Sequence, residues 1–185
     1  MNLSGIFDNL SEKKRDKNDR IMIVDGTNTY MRIWSAAPVI SENGEAVGGI
    51  LGFLRSIGSN IRDFNPTRCI VVFDGKGGSS RRKKLFPDYK QNRSVKKNPT
   101  KIEFATVEDE YESMRKQMMR IVQYLSLLPV QILCIDNIEA DDTIAYLTMQ
   151  YFGPKGSKIR IVSTDRDFLQ LVSENVEVYS PVKKK

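Results

Sequence analysis

Four short apolar runs in this chain each give way to acid. IMIV leads into Asp25, IVVF into Asp74, QILCID into Glu139, Asp141 and Asp142, and IRIVST into Asp165 and Asp167. Between the runs lie longer stretches with apolar residues at helical spacing: GGILGFLRSIGSNIRDF (48–64), VEDEYESMRKQMMRIVQYLSLL (107–128) and ADDTIAYLTMQYF (140–152). Short apolar strands alternating with helices pair in parallel and bury both faces of the sheet under those helices. The pattern therefore predicts an α/β domain with a mostly parallel central sheet and helices on both faces, three layers in all. Its strands are expected at 20–26, 68–75, 130–136 and 158–167, with DFLQLV as a short helix before a last strand, NVEVYS. At 185 residues and 40% hydrophobic, the chain suits one compact domain with a real core.

That fold decides where the acids go. In an open parallel sheet, ligands bind beyond the carboxyl ends of the strands, and all seven acids fall there, converging on one rim. Each has an ordinary reading by itself, since Asp-Gly is turn chemistry and Asp caps helices. Repetition at four strand ends argues for a site. Crowded carboxylates repel and raise one another's pKa values. A helix N-terminus offers about 1 kcal/mol of relief, too little for three acids within residues 139–142. A hard cation would hold them: carboxylate oxygens suit Mg²⁺ or Mn²⁺, and Mg²⁺ bridges to phosphate. Two such ions about 4 Å apart form the clamp used in phosphodiester hydrolysis.

Absences narrow the chemistry further. The chain has no histidine, which removes serine and cysteine triads, HExxH zinc sites and any imidazole base. The aspartyl-phosphatase signature Asp-x-Asp-Gly-Thr fails because Ile23 stands where its nucleophile belongs. No phosphate-binding glycine loop of known spacing is present, and DGKGGSS (74–80) reads as a flexible turn. Cys69 and Cys134 each sit inside a strand-like run and read as buried thiols, fitting a reducing cytoplasm. Neither a secretory signal nor an apolar run of about 20 residues is found, so no membrane association is expected.

The net charge of +6 is concentrated in one place. From Arg81 to Lys101, RRKKLFPDYKQNRSVKKNPTK holds nine basic residues against Asp88, leaving the rest of the chain mildly acidic. Arg81, Arg82, Lys83 and Lys84 open that segment, which reads either as a solvated loop or as a polyanion contact, nucleic acid first. Lys90, Arg93 and Lys97 would share a face if the segment is helical, and Arg grips phosphate bidentately. Tyr89 is placed to stack on a base or to pack. Residues 1–20 read as an N-terminal extension, either a small docking helix or a partner-binding peptide.

Taken in order, IVDGTN, VVFDG followed by PDYKQNR, IEADD and VSTDRDFLQL resemble the structure-specific 5′-nucleases. That family includes flap endonucleases, the 5′-exonuclease domain of bacterial DNA polymerase I and phage 5′-3′ exonucleases. The resemblance covers roughly residues 20–180, and it implies a PIN-like domain cutting DNA near 5′ ends and flap junctions in replication and repair. By motif position, Asp25, Asp74, Glu139 and Asp141 would hold a first metal ion and Asp165 and Asp167 a second. Asp142 falls where some members carry a non-acidic residue. Mg²⁺ is the implied cofactor, with Mn²⁺ able to substitute. Lys90 and Arg93 match the basic pair near the scissile phosphate, and residues from about 80 to 120 match a helical arch or clamp. DNA is the implied partner, with replication proteins possible. A PIN-type single-strand ribonuclease and a non-catalytic nucleic-acid-binding fragment are the rival readings. The family continues into a helical region that grips duplex DNA; no such motif follows here, so a domain truncated before it is expected.

Overall fold

The computed structural model describes residues 18–89 and 100–181, without the side chain of Arg81. Five strands form one sheet: β1 Arg20–Asp25, β2 Arg68–Asp74, β3 Gln131–Ile135, β4 Lys158–Val162 and β5 Val176–Tyr179. Their order across the sheet is β3-β2-β1-β4-β5, and every pairing is parallel. The chain thus builds outward from β1 to β3, then returns across β1 to lay down β4 and β5. The reversal opens a crevice between β1 and β4 at their carboxyl ends, the switch point where such sheets bind ligands.

The period-2 alternation of the central strands splits the core into two layers. Met22, Val24, Val71 and Phe73 face Tyr30, Trp34, Phe53, Ile57, Ile121 and Leu125. Those partners belong to α1 (Gly26–Ala36), α2 (Gly48–Phe64) and α4 (Val107–Ser126). Ile21, Ile23, Ile70 and Val72 point the other way, onto Ile144, Phe152, Phe168 and Leu171. These last belong to α5 (Ala140–Tyr146), its π-helical extension Leu147–Phe152 and a 3₁₀ helix, Arg166–Leu171. The three-layer α/β expectation is met. Among the described residues no helix is long and apolar enough to cross a membrane.

Several local expectations are corrected. GTNTYMRIWSA, not anticipated as a helix, forms α1, and SRRKKL within the basic run forms α3 (Ser80–Leu85). The helix expected over 140–152 is α-helical only to Tyr146, then widens into π turns. Cys69 is buried as expected, but Cys134 is exposed. Its strand, β3, is the sheet edge, open to solvent along most of its length. The helix expected over 107–128 is met from its first residue: Thr106 and Asp109 close a reciprocal capping box, and Glu108, Asp109 and Glu110 lie in the favourable first turn. The N-terminal extension up to residue 17 lies outside the described residues.

Candidate active site

Two Asp-Gly pairs place the first acids, and in both the glycine is demanded by close packing. A Cβ on Gly26 would stand 2.7 Å from the Phe73 ring and 2.9 Å from the Val72 carbonyl oxygen. On Gly75 it would fall 1.7 Å from the Ile135 carbonyl oxygen. The acid at each strand end is therefore pinned where a neighbouring strand passes within backbone contact.

Asp25 ends β1, is 5% exposed and caps α1 by accepting the Asn28 amide at 3.0 Å. Its second oxygen accepts the Ser163 hydroxyl at 3.0 Å. That same hydroxyl accepts the Asp165 amide at 3.1 Å, and Asp165 in turn accepts the Asp167 amide at 3.0 Å. Asn28 ties the two sides again, its side-chain oxygen taking the Thr164 amide at 3.2 Å and hydroxyl at 2.8 Å. A continuous network thus joins the ends of β1 and β4 across the switch point. Burial, opposed by the Asn28 and Ser163 bonds and assisted by the charges of Asp74 and Asp141, pushes the Asp25 carboxyl up to about 6.

On the other side of β1, Asp74 is exposed and accepts the Ala140 amide at 2.8 Å, while its own amide donates to Thr27 Oγ1 at 3.0 Å. That bond anchors the start of α5, where Glu139 is the N-cap and 3% exposed. Asp141 and Asp142 occupy the first turn of α5. All three face Arg82 on α3. The guanidinium pairs with Glu139, lies 2.7 Å from Asp142 Oδ1 and 3.8 Å from Asp141 Oδ2. Tyr89 completes the group: its hydroxyl donates to Glu139 Oε2 at 3.1 Å, and the guanidinium lies 5.6 Å from its ring centre.

The seven acids of the sequence reading therefore stand on one rim, at the strand ends. Of the basic candidates, Arg82 sits among the acids, and Lys83 and Lys84 are exposed on α3. Lys90, Arg93 and Lys97, with the Arg81 side chain, lie outside the described residues. Sequence reasoning missed Thr27, Asn28, Ser163 and Thr164, the neutral donors and acceptors that tie the acid-bearing strand ends together. Their signal was present in IVDGTN and VSTDRD, read there only for its acids.

The rim is an all-oxygen donor set of the type hard divalent ions prefer. Within it the structure already seats one cation, the Arg82 guanidinium. Among the described residues, no three acids stand close enough together to form a ready metal cage. Glu139, Asp141 and Asp142 are arranged around Arg82 instead.

The model of the 5′-3′ exonuclease N-terminal, resolvase-like domain matches residues 20–185. A 5′-3′ exonuclease of Aquifex aeolicus is 35% identical over 163 residues, covering 88% of this chain and 51% of that protein. The thermostable DNA polymerase I of Thermus filiformis is 30% identical over 162 residues, covering 88% of this chain but 17% of that one. Among solved structures, the zinc-bound 5′-exonuclease of bacteriophage T5 aligns with a TM-score of 0.70 at 24% identity, over 90% of this chain and 56% of that one. A flap endonuclease of the same phage, in a pseudo-enzyme-product complex with DNA and metal ions, aligns at 0.69 with 23% identity and the same coverage. These structural matches speak for the fold. The chain spans about half the length of the curated exonuclease it matches. By the domain match and by sequence, the chain belongs to the 5′-3′ exonuclease family, in its N-terminal resolvase-like domain.

Proposed function

We propose that this domain carries the active site of a divalent-metal-dependent 5′-nuclease that hydrolyses DNA phosphodiesters near 5′ ends and flap junctions, in replication and repair. One observation carries the reading: acids follow four strands at the carboxyl edge of a parallel sheet, on both sides of β1 beside its switch point, in a chain of the 5′-3′ exonuclease family. Relatives named as 5′-3′ exonucleases and a phage flap endonuclease crystallised with DNA and metal ions support it.

Asp25, Asp74, Glu139 and Asp141 would hold one ion, with Asp142 beside them, and Asp165 and Asp167 would contribute to a second. Mg²⁺ is the proposed cofactor, with Mn²⁺ as substitute. When bound, such ions supply Lewis-acid activation and charge stabilisation at the phosphate. The chain's own residues do the rest. Ser163 and the Asn28 amide fix the Asp25 carboxylate and Ser163 anchors the Asp165 backbone before substrate arrives, so little reorganisation is left for the reaction. The basic run draws in the polyanion that the acids alone would repel. Lys90 and Arg93 are assigned to the scissile phosphate, where their charge would stabilise the transition state. A bacterial or phage-infected cytoplasm is the proposed location.

The test is cleavage of a 5′-labelled flap by the chain in Mg²⁺, beside a matched RNA flap and beside Asp74→Asn. Asn keeps the size of Asp74 and can still accept the Ala140 amide. Cleavage of the DNA flap, reduced about a thousandfold or more in the variant, is the expected result. Undiminished turnover in Asp74→Asn would sink the assignment. Preferential cutting of the RNA flap would favour a PIN-type ribonuclease.

A further inference from the structure

Arg82 raises a question that the nuclease reading does not answer. A residue in a basic run would be expected to face the substrate, yet its guanidinium is turned into the acids. It holds Glu139 and Asp142 through two different nitrogens and lies within reach of Asp141. The Tyr89 ring flanks it and the Tyr89 hydroxyl shares the same Glu139 oxygen. Its neighbours Lys83 and Lys84 are exposed, so the inward turn belongs to Arg82 and not to α3 as a whole.

The energetics suit a placeholder. Glu139 is 3% exposed, and a buried carboxylate with no cation near it is costly. Arg82 relieves that cost. Its side chain is nonetheless 33% exposed, and those of Asp141 and Asp142 are 40% and 54% exposed. Pairs so open to water are worth about 0–1 kcal/mol each, and no core has to open for the guanidinium to leave. Its N–H groups engage Glu139 Oε2 and Asp142 Oδ1, and a divalent ion drawn to the same carboxylates would repel the guanidinium. Guanidinium and metal cannot hold the same lone pairs. Among the described residues, the other side-chain hydrogen bond tying α3 to the sheet's rim is a 3.5 Å contact between Ser80 and Asn137. Releasing Arg82 therefore loosens α3.

We propose that Arg82 is a displaceable counter-cation: its guanidinium balances Glu139, Asp141 and Asp142 until a divalent ion takes its place, so that metal loading undocks α3. The inference rests on the metal-dependent reading above and adds a step to it. Arg82 is a positioning residue of the unloaded site, competing with the ion.

Calorimetric titration of the whole chain with Mn²⁺ at low ionic strength, without DNA, tests this. Arg82→Gln should bind Mn²⁺ about tenfold more tightly than wild type, the scale of one removed neighbouring charge. Arg82→Lys, which keeps the charge but loses the fork, should fall between them. Metal-free Arg82→Gln should melt below wild type, and the two should melt together at saturating Mn²⁺. In wild type, Mn²⁺ should speed hydrogen exchange of residues 80–85 and slow it at the start of α5; this arm decides if the Gln variant does not fold. Equal or weaker Mn²⁺ binding by Arg82→Gln, or unchanged or slower exchange in α3, would overturn the inference and leave the metal-dependent reading standing. No metal binding by wild type would overturn both.

Discussion

The acid rim has two halves held by different means. On the β1–β4 side, Asp25 and Asp165 are fixed by neutral groups: backbone amides, the Ser163 hydroxyl and the Asn28 amide. On the β2–β3 side, Glu139, Asp141 and Asp142 are gathered around one charged side chain from a six-residue helix. The first half is preset by the sheet, because its fixing groups sit on the strands or directly at their ends. The second half depends on whichever cation is present. A site built this way keeps a rigid floor for the chemistry and a responsive wall, and the two should behave differently under perturbation.

The harshest way to break the comparison is to move β2 relative to β3. Gly75 follows Asp74 with the Ile135 carbonyl oxygen 1.7 Å from where a Cβ would stand. Backbone cannot step aside as a side-chain tip can. Gly75→Ala should cost about 3 kcal/mol or more in urea unfolding. Gly26→Ala, whose nearest obstacle is the Phe73 ring at 2.7 Å, should cost less. If the two are equal, the close approach of β3 does not pin Asp74.

A second perturbation uses protons. The Asp25 carboxyl is pushed up to about 6 in the folded chain from an ordinary 3.8, chiefly by burial. Between those values the folded state holds a proton that the unfolded state has lost. This group therefore costs nothing below about pH 4, costs progressively more as pH rises towards 6, and bears its full cost above that. The shift corresponds to at most about 3 kcal/mol. Asp25→Asn still accepts the Asn28 amide through its side-chain oxygen, turns the Ser163 bond round so that its NH2 donates to the hydroxyl, and removes the titration. With chelator present, the variant should match wild type near pH 4 and exceed it in stability at pH 8. Saturating divalent ion should reverse that order at pH 8, since Asn is the poorer ligand. A pH-independent difference would mean that burial is not what strains Asp25. The preset half is thus held against an electrostatic cost, whereas Arg82 relieves the cost in the other half.

Much of this was legible in the sequence, and the rest was hidden for physical reasons. IMIV and CIVVF announce central strands because burial on both faces demands unbroken apolar residues, and the acids that follow them announce the rim. Helix α1 was hidden because it opens with Gly-Thr-Asn-Thr, poor helix formers, and owes its start to the Asp25 cap. A charge run disguised α3, since SRRKKL reads equally well as a solvated loop. The exposure of Cys134 follows from β3 lying at the edge, a property of strand order that VQILCI cannot express. Arg82 was legible only as one basic residue of nine, because Glu139 and Asp142 lie 57 and 60 residues away. Local pattern reports which residues an element contains; only topology reports which of them meet.

The gentlest perturbation is the sharpest for the preset half. Ser163 is 1% exposed, and its hydroxyl both donates to Asp25 and accepts the Asp165 amide. No charge is involved, so Ser163→Ala should cost only the hydrogen-bond share, about 1–2 kcal/mol. Its effect on cleavage should be larger than that figure suggests. Asp25 ends β1 and Asp165 follows β4, strands that the sheet holds together, and this one oxygen links the Asp25 carboxylate to the Asp165 backbone. Losing it leaves one Asp25 oxygen and the Asp165 amide without that partner, so the Asp25 carboxylate is held through the Asn28 amide alone and the backbone that carries Asp165 is loosened. Metal affinity and kcat should fall together in Ser163→Ala, while KM for a DNA flap stays near wild type, because the basic run proposed to draw in DNA is untouched. A variant that loses stability but keeps kcat would show that the sheet alone presets Asp25 and Asp165, and that the hydroxyl link is structural.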